Sequence, residues 1–565
     1  MSTASGGRGG ADDAITAEII RSALNVAVEE ASIVVVRSSH STWIQEGADA
    51  AAALLDAEGQ LVAQSTATSL MHAASLRSGL RYMLEDFPVE VMKPGDVYAT
   101  NDPYRGGIHA NDILVFRPIF SDGRVRFVSG TVIHVADLGG VAVGGLAALA
   151  TDTFSEGVLF RSIRLYIEGV PQRDIFGVIE RNSRVPDNVV GDVKALVAGV
   201  NVVARRIEEL IDKYGLAMVE EHVAAYLDYA ERRMRDDLRK LPEGTYHGSF
   251  TVDTDGVEAG RTFEIKAAVT LADGSVTIDF TGTADQSRGA INSSFSQTMS
   301  GVVFAVRCFV DPSIPMNEGC FRPIDAKLPF GSIVNPKPPG ACGGRVVTVA
   351  AAVDSIIGAM VQAQPDHAVA PSGLIHVFTL AGTTEHGAQW LNMFYEFGGI
   401  GARTGGDGPN ATGCFFLGGR SVIPQFEPIE AQYPITVTSA RLATDSGGPG
   451  EFRGGLGVEM RVRMLRPANL TVRGDRMTIS PPGVLGGLAG GNGTYSVQRV
   501  DGTIEQLAPR QHQVPLAVGD EFVIRTSGGG GVGSPRTRDR DLVAADVREG
   551  RVSALAAAQD YGYEV

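Results

Sequence analysis

The stretch Asn101-Asp-Pro-Tyr-Arg-Gly-Gly-Ile-His109-Ala-Asn-Asp112 runs into apolar residues 113–120 and the turn Ser121-Asp-Gly-Arg124. The chain then returns through 125–135 and closes on His134-Val-Ala-Asp137-Leu-Gly-Gly140. Two β-prone runs about a short polar turn predict an antiparallel hairpin. With the turn centred near 122 or 123, residues whose numbers sum to about 244 face each other, which puts His109 and Asp112 at the same open end as His134. An ideal strand sends positions 109 and 112 to opposite faces, but Gly106, Gly107 and Asn111 permit an irregular backbone that turns both inward. Two imidazoles and a carboxylate leave coordination positions open, the donor set of a catalytic divalent metal, with Zn, Mn or Fe all compatible. Histidine and aspartate also cap glycine-rich loops through hydrogen bonds, and spacing alone leaves both readings open.

Working outward, positions 15–37 have helical spacing, with the β-branched 33–36 reading as a short strand or buried turn. A hairpin is expected over 50–63, a helix over 75–90 and a strand over 97–100. Two helices broken near Gly215 are expected between 204 and 240, after which the texture turns to alternation near 245. Helices over 298–309 and 347–364 follow, then short strands and Gly turns from about 419, and a closing helical stretch over 543–559 interrupted at Gly550. The predicted fold is α+β and multidomain. Residues 14–245 form a mixed α/β region carrying the metal hairpin, 246–430 an α+β middle domain, and 431–565 a β-rich domain with a closing helix.

The chain has 565 residues, 44% hydrophobic and 20% charged, which suits a folded protein of roughly two to four domains. Its 65 acidic against 49 basic residues give a net charge of −16, so nucleic acid and anionic membrane are excluded as partners. The first 13 residues lack an apolar leader, no apolar run reaches the ~20 residues of a membrane span, and Cys308, Cys320, Cys342 and Cys414 lack paired spacing. A cytoplasmic, reducing location is expected. Glycine is the outlier, 70 residues without a fixed repeat, and reads as tight turns and loops. Gly528 to Gly531 read as a turn, and Asp137-Leu-Gly-Gly is a weak phosphate loop without a Walker lysine. Cys342 has no local histidine and reads as a buried thiol. Asp49, His72, Arg307 and Arg345 are polar residues in apolar or glycine-rich surroundings that could face a cleft or form salt bridges.

From Gly95 to Asp112 and from His134 to Gly140, the chain closely resembles the hydantoinase B family, whose relatives include N-methylhydantoinase, the C-terminal half of 5-oxoprolinase, caprolactamase and the acetone and acetophenone carboxylases. The resemblance extends through Asn182-Ser-Arg-Val-Pro, Phe321-Arg-Pro-Ile324, Asp445-Ser-Gly-Gly-Pro-Gly450 and Gly528 to Pro535. It implies that His109, Asp112 and His134 ligate the metal. It also implies a divided reaction, in which a partner subunit of actin-like kinase fold (hydantoinase A type) binds ATP and phosphorylates the small-molecule substrate, and a subunit of the present type finishes the chemistry in a hetero-oligomer. On that basis the first expectation is the metal-bearing subunit of an ATP-dependent cyclic-amide hydrolase acting on a hydantoin or lactam. Asp137 or Asp49 is the candidate base, and Asn101, Asp102, His72 and Arg345 are candidate pocket residues. The alternatives are a ketone carboxylase subunit and a non-catalytic scaffold for the kinase. Glu46-Gly-Ala-Asp49 keeps only the Glu and Asp of the family's Glu-Arg-x-Asp-Phe-Ser, and Val143-Gly-Gly145 replaces its Pro-Gly-Ser, which points to a roomier, more apolar pocket.

Overall fold

The computed structural model describes residues 9–47, 49–66, 72–413, 423 and 425–564; Cys414 lies outside them. Helix α1 (Gly9–Ser38) stays helical through 33–36 instead of turning into a strand. Tertiary packing overrides β-propensity there, since Val35 is buried in the core while Ile33 is exposed, a division that helical spacing supplies. The chain continues through α2 (Thr42–Gly47), β1 (Ala50–Asp56), β2 (Leu61–Gln64), α3 (Ala73–Asp86), β3 (Val97–Thr100), β4 (Asp112–Ser121), β5 (Arg124–His134), β6 (Ile163–Ile167) and β7 (Val170–Pro171). These strands form one antiparallel sheet in the order β2-β1-β5-β4-β3-β6-β7. The β4–β5 hairpin turns on Asp122 and Gly123, whose φ values of 50° and 73° match the strand twist. A bulge between Ile119 and Phe120 then shifts the pairing by one, and Asp112 stands directly opposite His134.

Next come α4 (Arg173–Arg181), α5 (Pro186–Tyr214) and α6 (Leu216–Leu238). Helix α5 begins well before the expected position 204. Its interior glycines mark close approach: a Cβ on Gly191 would lie 2.2 Å from His40 Cγ, and one on Gly199 would lie 2.4 Å from Val35 Cγ2. Helices α1 and α5 cover one sheet face, packing on Leu54, Phe127, Ile113 and Ile133. The opposite face, with Leu114, Phe116 and Val132, takes Leu76 and Leu80 of α3.

The same core runs on into a second sheet, ordered β11-β10-β9-β8, made of β8 (Gly244–Val252), β9 (Phe263–Ala272), β10 (Ser275–Asp279) and β11 (Ile324–Lys327). Three more helices accompany it: α7 (Phe295–Arg307), α8 (Glu318–Phe321) and α9 (Val346–Ala363). Helix α9 is long and apolar enough to cross a membrane, yet 78% of it is buried inside the protein, where it serves as a core helix. Since this core joins residues such as Leu55, Phe116, Phe263 and Val353, it crosses position 245.

The remaining strands are β12 (Ile375–Thr383), β13 (Gln389–Phe397), β14 (Ile435–Leu442), β15 (Val458–Met464), β16 (Ala468–Arg473), β17 (Thr494–Gln498), β18 (Ile504–Gln506), β19 (Arg510–Leu516) and β20 (Glu521–Arg525). Two sheets, β13-β12-β16-β19 and β14-β15-β20-β17-β18, enclose Phe378, Leu470, Met460 and Phe522 as a sandwich. The first of them draws strands from both sides of residue 430.

Glycines such as Gly59 and Gly274 turn the chain as expected, but beside this sandwich others form a lattice of touching loops. Gly455 N–H donates to Ile400 O at 2.8 Å, Gly529 N–H to Gly455 O at 3.0 Å, Gly448 N–H to Gly529 O at 2.8 Å and Gly399 N–H to Ser527 O at 3.0 Å. Backbones approach so closely that a Cβ on Gly455 would sit 1.9 Å from Pro409 O and one on Gly399 would sit 1.9 Å from Gly455 O. The run Gly528 to Gly531 is buried in this lattice, and its four N–H groups donate to Gly491 O, Gly455 O, Pro371 O and Leu488 O.

Candidate metal centre

Three cross-strand neighbours end on one sheet face. Asp112 opens β4 and pairs with His134, which ends β5, while Asp49 precedes Ala50, the partner of Ile133. Alternation places all three on the side of Leu114, Val132 and Ala51, the face toward α3. His109 comes from the loop before β4, where the Asp112 N–H donates to His109 O at 3.0 Å and folds the imidazole back over the strand end.

The donor atoms form a small triangle. His109 Nε2 lies 3.0 Å from His134 Nδ1 and 3.0 Å from Asp112 Oδ2, and His134 Nδ1 lies 3.0 Å from Asp112 Oδ1. All three residues are buried. Burial and the neighbouring Arg345 cation push His109 down to about 3, so its imidazole is neutral. Burial also opposes the charge of Asp112, but His109 and Arg345, with hydrogen bonds from His109 and His134, hold its carboxyl well below the ordinary range. A neutral imidazole and an ionised carboxylate are the states a metal requires. The two histidines meet different Asp112 oxygens, and one ligand atom from each residue lies within 4.8 Å of the others, close enough to share one ion. The residues fit a divalent ion bound on one face, with the remaining positions open.

Around the triangle, Arg345 Nη2 donates to Asp112 Oδ2 at 3.0 Å. His72, immediately before α3, pairs through Nε2 with Asp49 Oδ1 at 3.0 Å. Burial opposes the charge of Asp49, whose side chain keeps 32% of its surface exposed, but the His72 hydrogen bond lowers its pKa. Four candidates from sequence therefore converge here in addition to the hairpin's two histidines: Asp112, Arg345, His72 and Asp49.

Others are spent on the loops. Asp137 accepts from Arg184 N–H at 2.7 Å and from Arg184 Nη1 at 2.9 Å, and burial raises its pKa. Asn101 ties Ala110 O, Val158 O and the Phe160 N–H together, and Asp102 caps Tyr104 N–H at 2.9 Å. Cys342 is buried with its pKa raised by desolvation. Arg307 donates to Ile314 O at 2.8 Å, away from this group.

Three residues were not singled out in the sequence. Glu156 accepts from Gly343 N–H at 2.5 Å and Cys342 N–H at 3.1 Å, and burial pushes it up to about 7. Tyr395 on β13 and Arg473 on β16 lie close enough to feel the charges of Asp112 and Glu156 respectively. Local pattern carried no signal for them, because their place depends on how the sandwich docks on the first sheet.

The layered α+β fold with a buried His–Asp–His group that could hold a metal ion defines the class of protein. Within that class, the hydantoinase B/oxoprolinase family matches residues 13–535, and the chain belongs to it. An uncharacterised protein of Methanocaldococcus jannaschii is 33% identical over 98% of this chain and 96% of its own length. A subunit of a putative D-/L-hydantoinase of Pseudomonas sp. is 29% identical over 98% of this chain and 95% of its own length. Among solved structures, the ATP-dependent caprolactamase of Pseudomonas jessenii superposes with a TM-score of 0.88 at 26% identity, over 98% of this chain and 96% of that one.

Proposed function

We propose that this chain is the metal-bearing subunit of an ATP-dependent cyclic-amide hydrolase, opening a hydantoin or lactam ring after a kinase-fold partner has phosphorylated the amide carbonyl oxygen. The observation that carries the reading is the buried triangle of His109, Asp112 and His134 with Arg345 on its carboxylate. The likeness to a caprolactamase and to a putative hydantoinase supports the cyclic-amide class. A divalent ion held by these three, Zn, Mn or Fe, supplies acidified water and a polarised substrate oxygen.

The chain's own groups do the rest. Arg345 fixes the orientation of Asp112. Asp49 is an ionised, partly exposed carboxylate whose Oδ1 is anchored by His72, leaving Oδ2 to take a proton from the attacking water. The water oxygen bonds to the ring carbon, and the C–N bond breaks as both water protons reach the leaving nitrogen, the first by way of Asp49 and the second as the new hydroxyl becomes the acyl carbonyl. The acyl phosphate so formed is hydrolysed by a second water to carboxylate and inorganic phosphate.

The test is ATP turnover by the purified complex of this chain with its partner on a panel of lactams and imides, with and without bicarbonate. Turnover dependent on a cyclic amide alone, and abolished by His109→Ala, is the expected result. A requirement for bicarbonate makes the protein a carboxylase, and activity surviving His109→Ala makes it a scaffold.

A further inference from the structure

The sheet β13-β12-β16-β19 turns one polar row toward the metal centre. Tyr395 pairs with Val377, Val377 with Arg473, and Arg473 with Arg510, so the four side chains share a face. On that face Val377 and Met393 pack into the cluster that holds Val135, Ala136 and Leu138, the residues immediately after His134. Arg473 in this row donates to Gly343 O, two residues before Arg345, whose Nη2 reaches Asp112 Oδ2 at 3.0 Å, so the row brings cations from the C-terminal sandwich beside the site built by the N-terminal sheet.

The cations differ in what they do. Arg345 is committed to Asp112 at 3.0 Å, and Arg476, three residues beyond Arg473, pairs with Asp354 at 2.6 Å. Arg510 donates through Nε to Thr254 O at 2.9 Å and feels the carboxylates of Asp475, Asp253 and Asp255. Arg473 has only a short hydrogen bond from Nη1 to the carbonyl of Gly343, and among the described residues no carboxylate pairs with it. Glu156 is the carboxylate it feels, but that group is already held by two backbone N–H donors. Burial and the like charges of Arg345 and Arg510 push Arg473 down to about 9, so it remains a cation at neutral pH in surroundings that disfavour one. Nη1 is held by Gly343 O, and the Nε and Nη2 edge of the guanidinium fork has no hydrogen-bond partner among the described residues.

We propose that Arg473 is the seat for the phosphoryl oxygens of the substrate, holding them beside the triangle of His109, Asp112 and His134. The inference rests on the proposed reaction of a phosphorylated cyclic amide and adds the residue that recognises the phosphate. A planar fork with two free N–H groups fits an oxyanion. A phosphoryl group offers three oxygens, so two can meet Arg473 while the third points at the metal centre, whereas a carboxylate has only two to share.

The test is calorimetric titration of inorganic phosphate, and in a parallel arm acetate, into the metal-loaded full chain and its Arg473→Gln and Arg473→Lys variants, with metal content measured in each. Phosphate is expected to bind the wild type at least tenfold more tightly than acetate. Arg473→Gln is expected to lose at least tenfold in phosphate affinity with unchanged metal content, and Arg473→Lys, which keeps the charge without the fork, to lose less. Should Arg473→Gln fail to fold, the lysine variant and the acetate arm still decide. Unaltered phosphate affinity in the variants, no phosphate binding by the wild type, or acetate bound as tightly as phosphate each overturns the proposal. Failure of the cyclic-amide reading shows up separately, as absence of amide-dependent ATP turnover by the wild-type complex while the phosphate titration is unaffected.

Discussion

The glycine lattice around Gly399, Gly455 and Gly529 and the polar cluster around Asp112 are both buried, and both are crowded with hydrogen-bonding groups. In the lattice each cited N–H finds a neighbouring carbonyl at 2.8–3.0 Å, and no side chain intervenes. In the cluster, two imidazoles and a carboxylate crowd together at 3.0 Å, and Arg473 beyond them has no carboxylate partner among the described residues. The lattice is complete by itself, so it tolerates no added atom. The cluster brings three potential ligands together, and under the proposed function their replacement removes the ion and leaves the fold in place. A buried polar region thus shows its role by whether its donors and acceptors close among themselves.

The most severe break of this contrast is Gly455→Ala, whose Cβ would lie 1.9 Å from Pro409 O with backbone on the receiving side. Loss of soluble, cooperatively melting protein is expected, read by yield and thermal denaturation. Next comes His109→Ala, which should remove the bound ion, from near-stoichiometric to under about a tenth per chain by mass spectrometry, while the far-ultraviolet circular dichroism keeps its wild-type shape.

A third substitution tests a buried polar group that belongs to neither region. Glu396, across β12–β13 from His376, is 2% exposed, its Oε1 has no partner among the described residues, and burial pushes it up to about 8. Because the folded value lies above the ordinary 4.5, the folded chain holds the proton longer than the unfolded one, and stability is lost as pH rises from about 4.5 through about 8. Glu396→Gln should erase that loss, with a melting temperature ~2–4 °C above wild type at pH 9 and little difference at pH 4. The smallest effect sharpens the glycine side of the comparison. Gly358 in α9 faces open space, so Gly358→Ala should stabilise the protein by about 0.5–1 kcal/mol in chemical denaturation.

What the sequence made legible was local. The hairpin brought His109, Asp112 and His134 together because 25 residues of alternating pattern about one turn define their own geometry. Even there, the bulge at Ile119 was invisible and changed which residue faces His134. Arg345 and His72 could be suspected from their surroundings, but their partners could not, since Arg345 meets Asp112 across 233 positions of chain. Tyr395 and Arg473 were beyond reach, because each looks like any outward residue of an alternating strand until a second sheet is docked beneath it. The α+β class was legible, and glycines such as Gly59, Gly123 and Gly274 do turn the chain at positive φ, but composition cannot tell these from the ones that let backbones touch.

That lattice also sets a timetable. Residues 527–532 supply or receive hydrogen bonds for partners at 371, 399, 448, 455 and 488, and a ribosome reaches them after all the others. At ~5–20 residues per second, the backbone near 371 waits roughly 10–30 s for its neighbour. During that wait the N-terminal sheet, whose strands are all encoded by residue 171, can already have formed, while the second half carries open edges into a crowded cell. The production of active protein is then governed by how well the nascent second half is sheltered over those seconds, and slower translation ahead of residue 527 should lower its yield.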